Sequence, residues 1–319
     1  MITAVVMGGN ARAVLIAGLT AAGKSALALA LARETGAAIV NADSMQVYRD
    51  LRVLTARPSP EDEGQAPHRL YGHVDGAVNY SVGRYLEDAS RLIEDARQAG
   101  ERLIFVGGTG LYFKALLEGL SRIPPVPPAI REGVRAESEG RPTSELHTRL
   151  AERDPETAQR LDAGDRLRVL RALEVMAATG QPLSAFLGQK QPGPLAHADP
   201  LKIFLAPDRA LLRERIDRRF KAMIRDGALE EVRALCRRGL DPALPLMRAH
   251  GVPALLAHVR GEMTLEEAIT AGQGDTRRYA KRQFTWFRHQ MPGWTWVDPA
   301  DAEAVRAHLS LSRAGEGQG

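Results

Sequence analysis

Residues 18–25 read GLTAAGKS, between the apolar run AVLIA (13–17) and SALALALAR (25–33). They fit G-x-x-x-x-G-K-[ST], a loop whose backbone N–H groups wrap phosphate oxygens at a helix N-terminus. The flanks make the match informative. A short buried strand leads in, and a helix rich in Ala and Leu leads out. Gly18, Thr20, Ala21, Ala22 and Gly23 supply the wrapping backbone, Lys24 a point charge, and Ser25 a hydroxyl suited to Mg²⁺. The motif names phosphate. It does not say whether the phosphate is transferred or released.

The same alternation continues. Ala38–Val40 and Arg102–Val106 read as further strands, Tyr85–Ala99 and Leu111–Leu117 as helices, with Gly36 and Gly100 as stops. Strand–helix alternation predicts an α/β fold, a P-loop-type parallel sheet with helices on both faces. After Leu120 the pattern changes. SRIPPVPPAIR carries four prolines and reads as a hinge or rigid connection. Residues 130–187 then read as helical throughout. A strand returns at Leu201–Leu205, and helices complete the chain to about residue 290. The expected organisation is a catalytic core of residues 1–122 and 199–299, a small all-helical insertion at 123–198, and a disordered tail at 300–319.

Composition narrows the class. The 319 residues are 44% hydrophobic and 26% charged, an ordinary globular balance. A single cysteine, Cys236, rules out a disulfide within the chain and fits a reducing compartment. No apolar run reaches the length of a membrane span, and MITAVVMGGNAR lacks the order of a signal peptide. A cytoplasmic location, away from membranes, is expected. Charge is uneven: residues 160–290 hold 23 Lys and Arg against 15 Asp and Glu, whereas residues 1–120 hold 12 against 13. The basic half could meet a polyanion, or it could be an Arg-rich solvated surface.

A P-loop ATPase also carries an apolar strand ending in an acid. Here LIFV ends in GGTG (107–110), and AIV leads into Asn41-Ala42-Asp43. Asp43 is thus the best-placed carboxylate near the loop. It could deprotonate an acceptor, help hold a metal, or cap a helix. Ligands of open α/β sheets bind at the carboxyl ends of strands, so GLTAAGKS, NADSMQ and GGTGLY should converge on one crevice.

Together GLTAAGKS, NADSMQVYRDL, VGGTGLYFKALLEGL, RLRVLRALEV, RIDRRFKAMIRDG and TRRYAKRQFTWFR resemble, in order and from about residue 13 to 297, the tRNA dimethylallyltransferases. The resemblance implies transfer of a dimethylallyl group from dimethylallyl diphosphate to N6 of adenine 37 beside the tRNA anticodon, with Mg²⁺ and with diphosphate leaving. By that resemblance the loop and Arg219 hold the diphosphate, Ser25 the metal, and Asp43 is the general base. Asp43, Ser44, Met45, Gln46 and Thr109 match positions that touch the extruded base and its neighbours. Arg131, Leu167, Arg168 and Arg171 match tRNA contacts in or beside the helical insertion. Arg277, Arg278, Lys281 and Arg282 lie on a helix interleaved with aromatics, where some cations are expected on RNA.

Some positions depart from the family pattern. Leu19 stands where Pro is common, Ala22 and Ser25 where Ser and Thr are, Val252 where an aromatic is, and Gly164 where Asn is. The competing reading is a P-loop small-molecule kinase that binds ATP and uses Asp43. A non-enzymatic RNA-binding P-loop switch is a third.

Overall fold

In the computed structural model the described residues are 13–188 and 190–300. The expected tail lies outside them from residue 301 onward. The chain forms two compact units, one from the stretches up to Leu117 and from Pro194, the other Glu118–Gly193.

The larger unit is built on six strands: β1 (Ala13–Gly18), β2 (Ala38–Asn41), β3 (His68–Arg69), β4 (Leu103–Gly107), β5 (Leu201–Leu205) and β6 (Thr295–Val297). They form one parallel sheet in the order β3-β2-β4-β1-β5-β6. β1, β2 and β4 are buried at every position, which is why they read as continuous apolar runs instead of alternating ones. β3 and β6 were not expected. They are two and three residues long, at the two sheet edges, too short to show a period.

Helices α1 (Lys24–Thr35), α2 (Pro60–Gln65), α3 (Val82–Ala99) and α4 (Gly110–Glu118) follow the strands of the first half. Gly36 and Gly100, left-handed at the ends of α1 and α3, bond back to the last turns. The smaller unit holds α5 (Pro128–Glu137), α6 (Thr143–Ala151), α7 (Pro155–Arg160) and α8 (Arg166–Thr179), with its own core of Leu146, Leu150, Val169, Ala172 and Met176. The segments entering and leaving this unit meet at one isolated antiparallel bridge, Ser121 to Lys190. Its boundaries fall at 117/118 and 193/194 and not at 123 and 198, because Leu195 is buried in the larger core and donates its N–H to the Leu116 carbonyl at 2.9 Å. The larger unit is completed by α9 (Arg209–Arg225), α10 (Ala228–Arg237), α11 (Val252–Val259) and the 26-residue α12 (Leu265–Gln290), which opens with a Thr264/Glu267 capping box. No helix among the described residues is long and apolar enough to cross a membrane.

β2, β4 and β1 are neighbours, with Asn41 opposite Val106 and Ala17 opposite Gly107. The loops leaving their carboxyl ends therefore stand side by side. Ala42 donates to the Val106 carbonyl at 2.8 Å, and Thr109 donates to the Ala42 carbonyl at 3.2 Å. This stitching leaves no room at Gly107, where a Cβ would lie 2.0 Å from the Ala42 carbonyl oxygen. Backbone presses on backbone there, so neither side can yield cheaply. Gly107→Ala should destabilise the protein by about 1–3 kcal/mol or more, the usual cost of overpacking, read as a lower midpoint in urea unfolding.

Candidate active site

The loop between β1 and α1 bounds a cavity of about 400 Å³ with Asp43, Gln46, Tyr71, Arg219, Tyr279 and Gln283. Thr20 through Ser25 all face it. Gly18 does not. It stands behind the loop, where its carbonyl accepts Lys24 and an added Cβ would meet the Leu205 backbone at 2.6 Å. Gly23 takes a positive φ of 90° at the helix start, a conformation the motif's second glycine supplies without strain. Ala21 adopts φ 61° in the same turn, where a Cβ is disfavoured.

Lys24 and Arg219 face the cavity without an acidic partner among the described residues. Lys24 Nζ donates to the carbonyls of Gly18 at 3.1 Å and Leu19 at 2.8 Å. Burial lowers its pKa to about 8, with Asp43 opposing the shift and Arg219 adding to it. Arg219, from α9, donates to the Thr20 hydroxyl, and burial lowers its pKa too, again opposed by Asp43. Arg215 and Arg218 line the same wall.

Asp43 is held from both sides. Buried Asn41 accepts its N–H at 2.8 Å and donates to its carbonyl at 2.9 Å and to that of Leu70 at 3.1 Å. Asp43 Oδ1 accepts the Met45 N–H at 2.9 Å, so a local cap is formed, but with one oxygen only. Oδ2 keeps no hydrogen-bond partner among the described residues. Ser44 and Thr109 serve each other: the Ser44 N–H donates to the Thr109 hydroxyl at 2.9 Å, and that hydroxyl to Ser44 Oγ at 3.2 Å. Gln46 donates to the carbonyls of Thr55 and Ala56, which sit on the cavity wall. That wall is pinned from behind by Glu231 of α10, which accepts the N–H groups of Arg52, Val53 and Leu54 at 2.8, 2.8 and 3.0 Å.

Several site residues carry no local sequence signal. Gln283 of α12 accepts the Thr20 N–H at 2.9 Å and donates to the Gly108 carbonyl at 2.9 Å, tying the first loop to GGTG. Tyr279, one of the aromatics interleaved on its helix, and Tyr71, which no motif marked, line the cavity, and burial beside Asp43 raises both pKa values. His250 packs against Tyr279 at 4.4 Å between ring centroids, and burial with Arg282 nearby lowers its pKa.

The cations of α12 divide. Arg277 is engaged by Asp217 of α9 and Arg278 by Asp275, while Arg282 lies over the Tyr279 ring at 5.8 Å and Lys281 is exposed. Within the helical unit, Leu167 and Arg168 are exposed at the start of α8. Arg131 and Arg171 both approach the buried carboxylate of Glu174. Gly164 forms the turn before α8, its N–H on Asp162 at 2.8 Å. Val252 is fully buried at the start of α11, and Pro253 sits in the first turn, where its missing N–H costs nothing.

Among the described residues no group of three or more His, Cys, Asp and Glu could hold a metal ion. The exposed Ser25 hydroxyl at the cavity wall suits a Mg²⁺ that takes most of its oxygens from phosphate and water. The arrangement is a polar chamber lined by half-buried cations and by a carboxylate with one oxygen free.

A family model described as IPP transferase matches residues 46–290. A tRNA dimethylallyltransferase of Methylobacterium nodulans is 68% identical over 292 residues, covering 91% of this chain and 96% of that protein. One from Rhodopseudomonas palustris is 57% identical over 302 residues, 95% of this chain and 94% of the relative. The crystal structure of a full-length tRNA isopentenylpyrophosphate transferase from Bacillus halodurans is 31% identical with a TM-score of 0.67, covering 96% of each chain. A eukaryotic dimethylallyltransferase solved acting on tRNA is 26% identical with a TM-score of 0.77, over 95% of this chain and 77% of that one.

Lys24 gives the cavity a pH dependence of definite sign. Below about pH 8 it is charged and attracts an anion; above, it loses the charge. Affinity for inorganic diphosphate, measured by calorimetry, should weaken as pH rises above about 8, relative to Lys24→Gln, whose profile lacks that loss.

Proposed function

The chain belongs to the IPP transferase family, and on that premise we propose that it moves a dimethylallyl group from dimethylallyl diphosphate onto N6 of adenine 37 of tRNA, releasing diphosphate. The activity is transfer of a dimethylallyl group to tRNA, a prenyltransferase reaction. The finer assignment is carried by one juxtaposition: Lys24 and Arg219 share a cavity with the free oxygen of Asp43.

An allylic diphosphate loses its leaving group readily when the developing charge is stabilised, and an exocyclic adenine amine is a weak nucleophile. Both ends therefore need help. The N–H groups of residues 20–25, Lys24 and Arg219 take up charge as the C1–O bond breaks. The C1–N6 bond forms, and the amine proton passes to Asp43. Ser25 would hold Mg²⁺, which supplies further charge neutralisation on the diphosphate. Tyr71 and Tyr279 stay protonated and can only donate or pack. Adenine 37 lies in a folded loop and must turn out to enter the cavity. Ser44, Met45 and Gln46 are the proposed contacts to the base, with Thr109 holding Ser44. Arg131, Leu167, Arg168 and Arg171 of the helical unit, with Lys281 and Arg282 of α12, are the proposed grips on the RNA. The enzyme works in the cytoplasm as a monomer.

The deciding assay mixes protein, Mg²⁺ and an anticodon stem-loop carrying adenine 37, supplies dimethylallyl diphosphate or ATP, and weighs the RNA. A prenyl mass gain with the first donor alone supports the reading; ATP consumption without it returns the kinase. Asp43→Ala should lower kcat by about 10²–10⁴ while leaving stem-loop affinity near wild type, and unchanged turnover would remove Asp43 from the chemistry. Arg168→Ala should weaken stem-loop binding and reduce the slope of log K against log salt by about 1; an unaltered slope would leave Arg168 a solvated side chain.

A further inference from the structure

Several arginines of the helical unit pair one to one with exposed acids: Arg141 with Glu145, Arg160 with Glu156, and Arg149 with Glu137. Glu174 of α8 is different. Its side chain is only 4% exposed, and three guanidinium groups meet its carboxylate. Arg135 Nε donates to Oε1 at 3.1 Å, while Arg131 Nε and Arg171 Nη1 stand 3.7 and 3.9 Å from Oε2. Arg131 and Arg135 are four residues apart on α5, and Arg171 and Glu174 three apart on α8. Each pair therefore shares a helix face, and the carboxylate lies where the two faces meet.

One guanidinium is enough to pair a buried carboxylate. Three leave two positive charges in excess, and they leave them within reach of solvent: the side chains of Arg131, Arg135 and Arg171 are 32%, 45% and 40% exposed. Arg131 and Arg135 both approach Glu174 through Nε. Their terminal nitrogens, the fork that fits a phosphate, keep no hydrogen-bond partner among the described residues. The carboxylate also offsets the repulsion among the three. Burial lowers the pKa of Arg171, Glu174 opposes that shift, and Arg131 adds to it. An arriving phosphate would find the arginines already ordered, so less side-chain freedom is lost on binding. We propose that Glu174 is a positioning residue for the RNA, holding Arg131, Arg135 and Arg171 together as one receptor for a backbone phosphate. The inference rests on the RNA grips proposed above, and it adds Arg135, which no motif marked.

The test measures binding of the anticodon stem-loop to the full chain over a range of salt, for wild type, Glu174→Gln, Arg135→Gln and the double variant. Glu174→Gln removes a negative charge, so a carboxylate that merely muted the arginines would give tighter binding on its loss. The expected result is the opposite, a Kd raised by about tenfold, the worth of one charge-assisted hydrogen bond. Arg135→Gln should weaken binding and reduce the slope of log K against log salt by about 1. In that background the loss from Glu174→Gln should shrink, because the arginine nearest the carboxylate is gone. Tighter or unchanged binding by a folded Glu174→Gln, or a loss that stays full in the double variant, would overturn the proposal. If circular dichroism shows that Glu174→Gln is unfolded, the slope for Arg135→Gln decides, and an unaltered slope overturns it. A wild type that binds no stem-loop would instead overturn the RNA grips on which the proposal rests.

Discussion

The site depends on two half-buried cations set against neutral oxygens. Lys24 leans on the carbonyls of Gly18 and Leu19, and Arg219 on the Thr20 hydroxyl. A carboxylate salt bridge would hold each more cheaply, but it would also cancel the charge that the proposed diphosphate leaving group requires. Burial without an acid keeps that charge in reserve, at a cost visible in the lowered pKa of Lys24. Asp43 is close enough to influence both cations yet is not bonded to either. Hydrogen bonds with Asn41 and the Met45 N–H hold Asp43 in place, so that it does not swing across and neutralise them.

The sheet makes this arrangement possible. Because β2, β4 and β1 are adjacent and parallel, three loops distant in sequence leave the sheet at one edge. Their backbones then touch closely enough that Gly107 has no space for a side chain and Gly108 faces the Gln283 amide. Precision in the site comes from backbone contact at the strand ends, not from the length or flexibility of the loops.

Much of this was legible in the chain. The buried strands β1, β2, β4 and β5 announce themselves as apolar runs, and GLTAAGKS, NADSMQ and GGTG were placed at strand ends by the same reasoning. Edge strands β3 and β6 were not legible, since two or three residues carry no period. Gln283, Glu231 and His250 were missed for another reason: their partners lie far away in sequence, as with Gln283 and Thr20, and nothing local marks them. Arg277 shows the converse. Among neighbouring cations it looked free for RNA, yet its partner Asp217 sits on another helix, where spacing along α12 cannot reveal it.

Gln283 has a thermodynamic consequence. It lies on α12, the helix that also carries Lys281 and Arg282, and it bonds directly to the N–H of Thr20 in the phosphate loop. A ligand that shifts α12 therefore shifts the loop. Linkage makes such an effect reciprocal: whatever factor a bound donor applies to the affinity for RNA, bound RNA must apply to the affinity for donor. Under the proposed reading, one buried amide thus couples the RNA side of α12 to the loop that holds the donor.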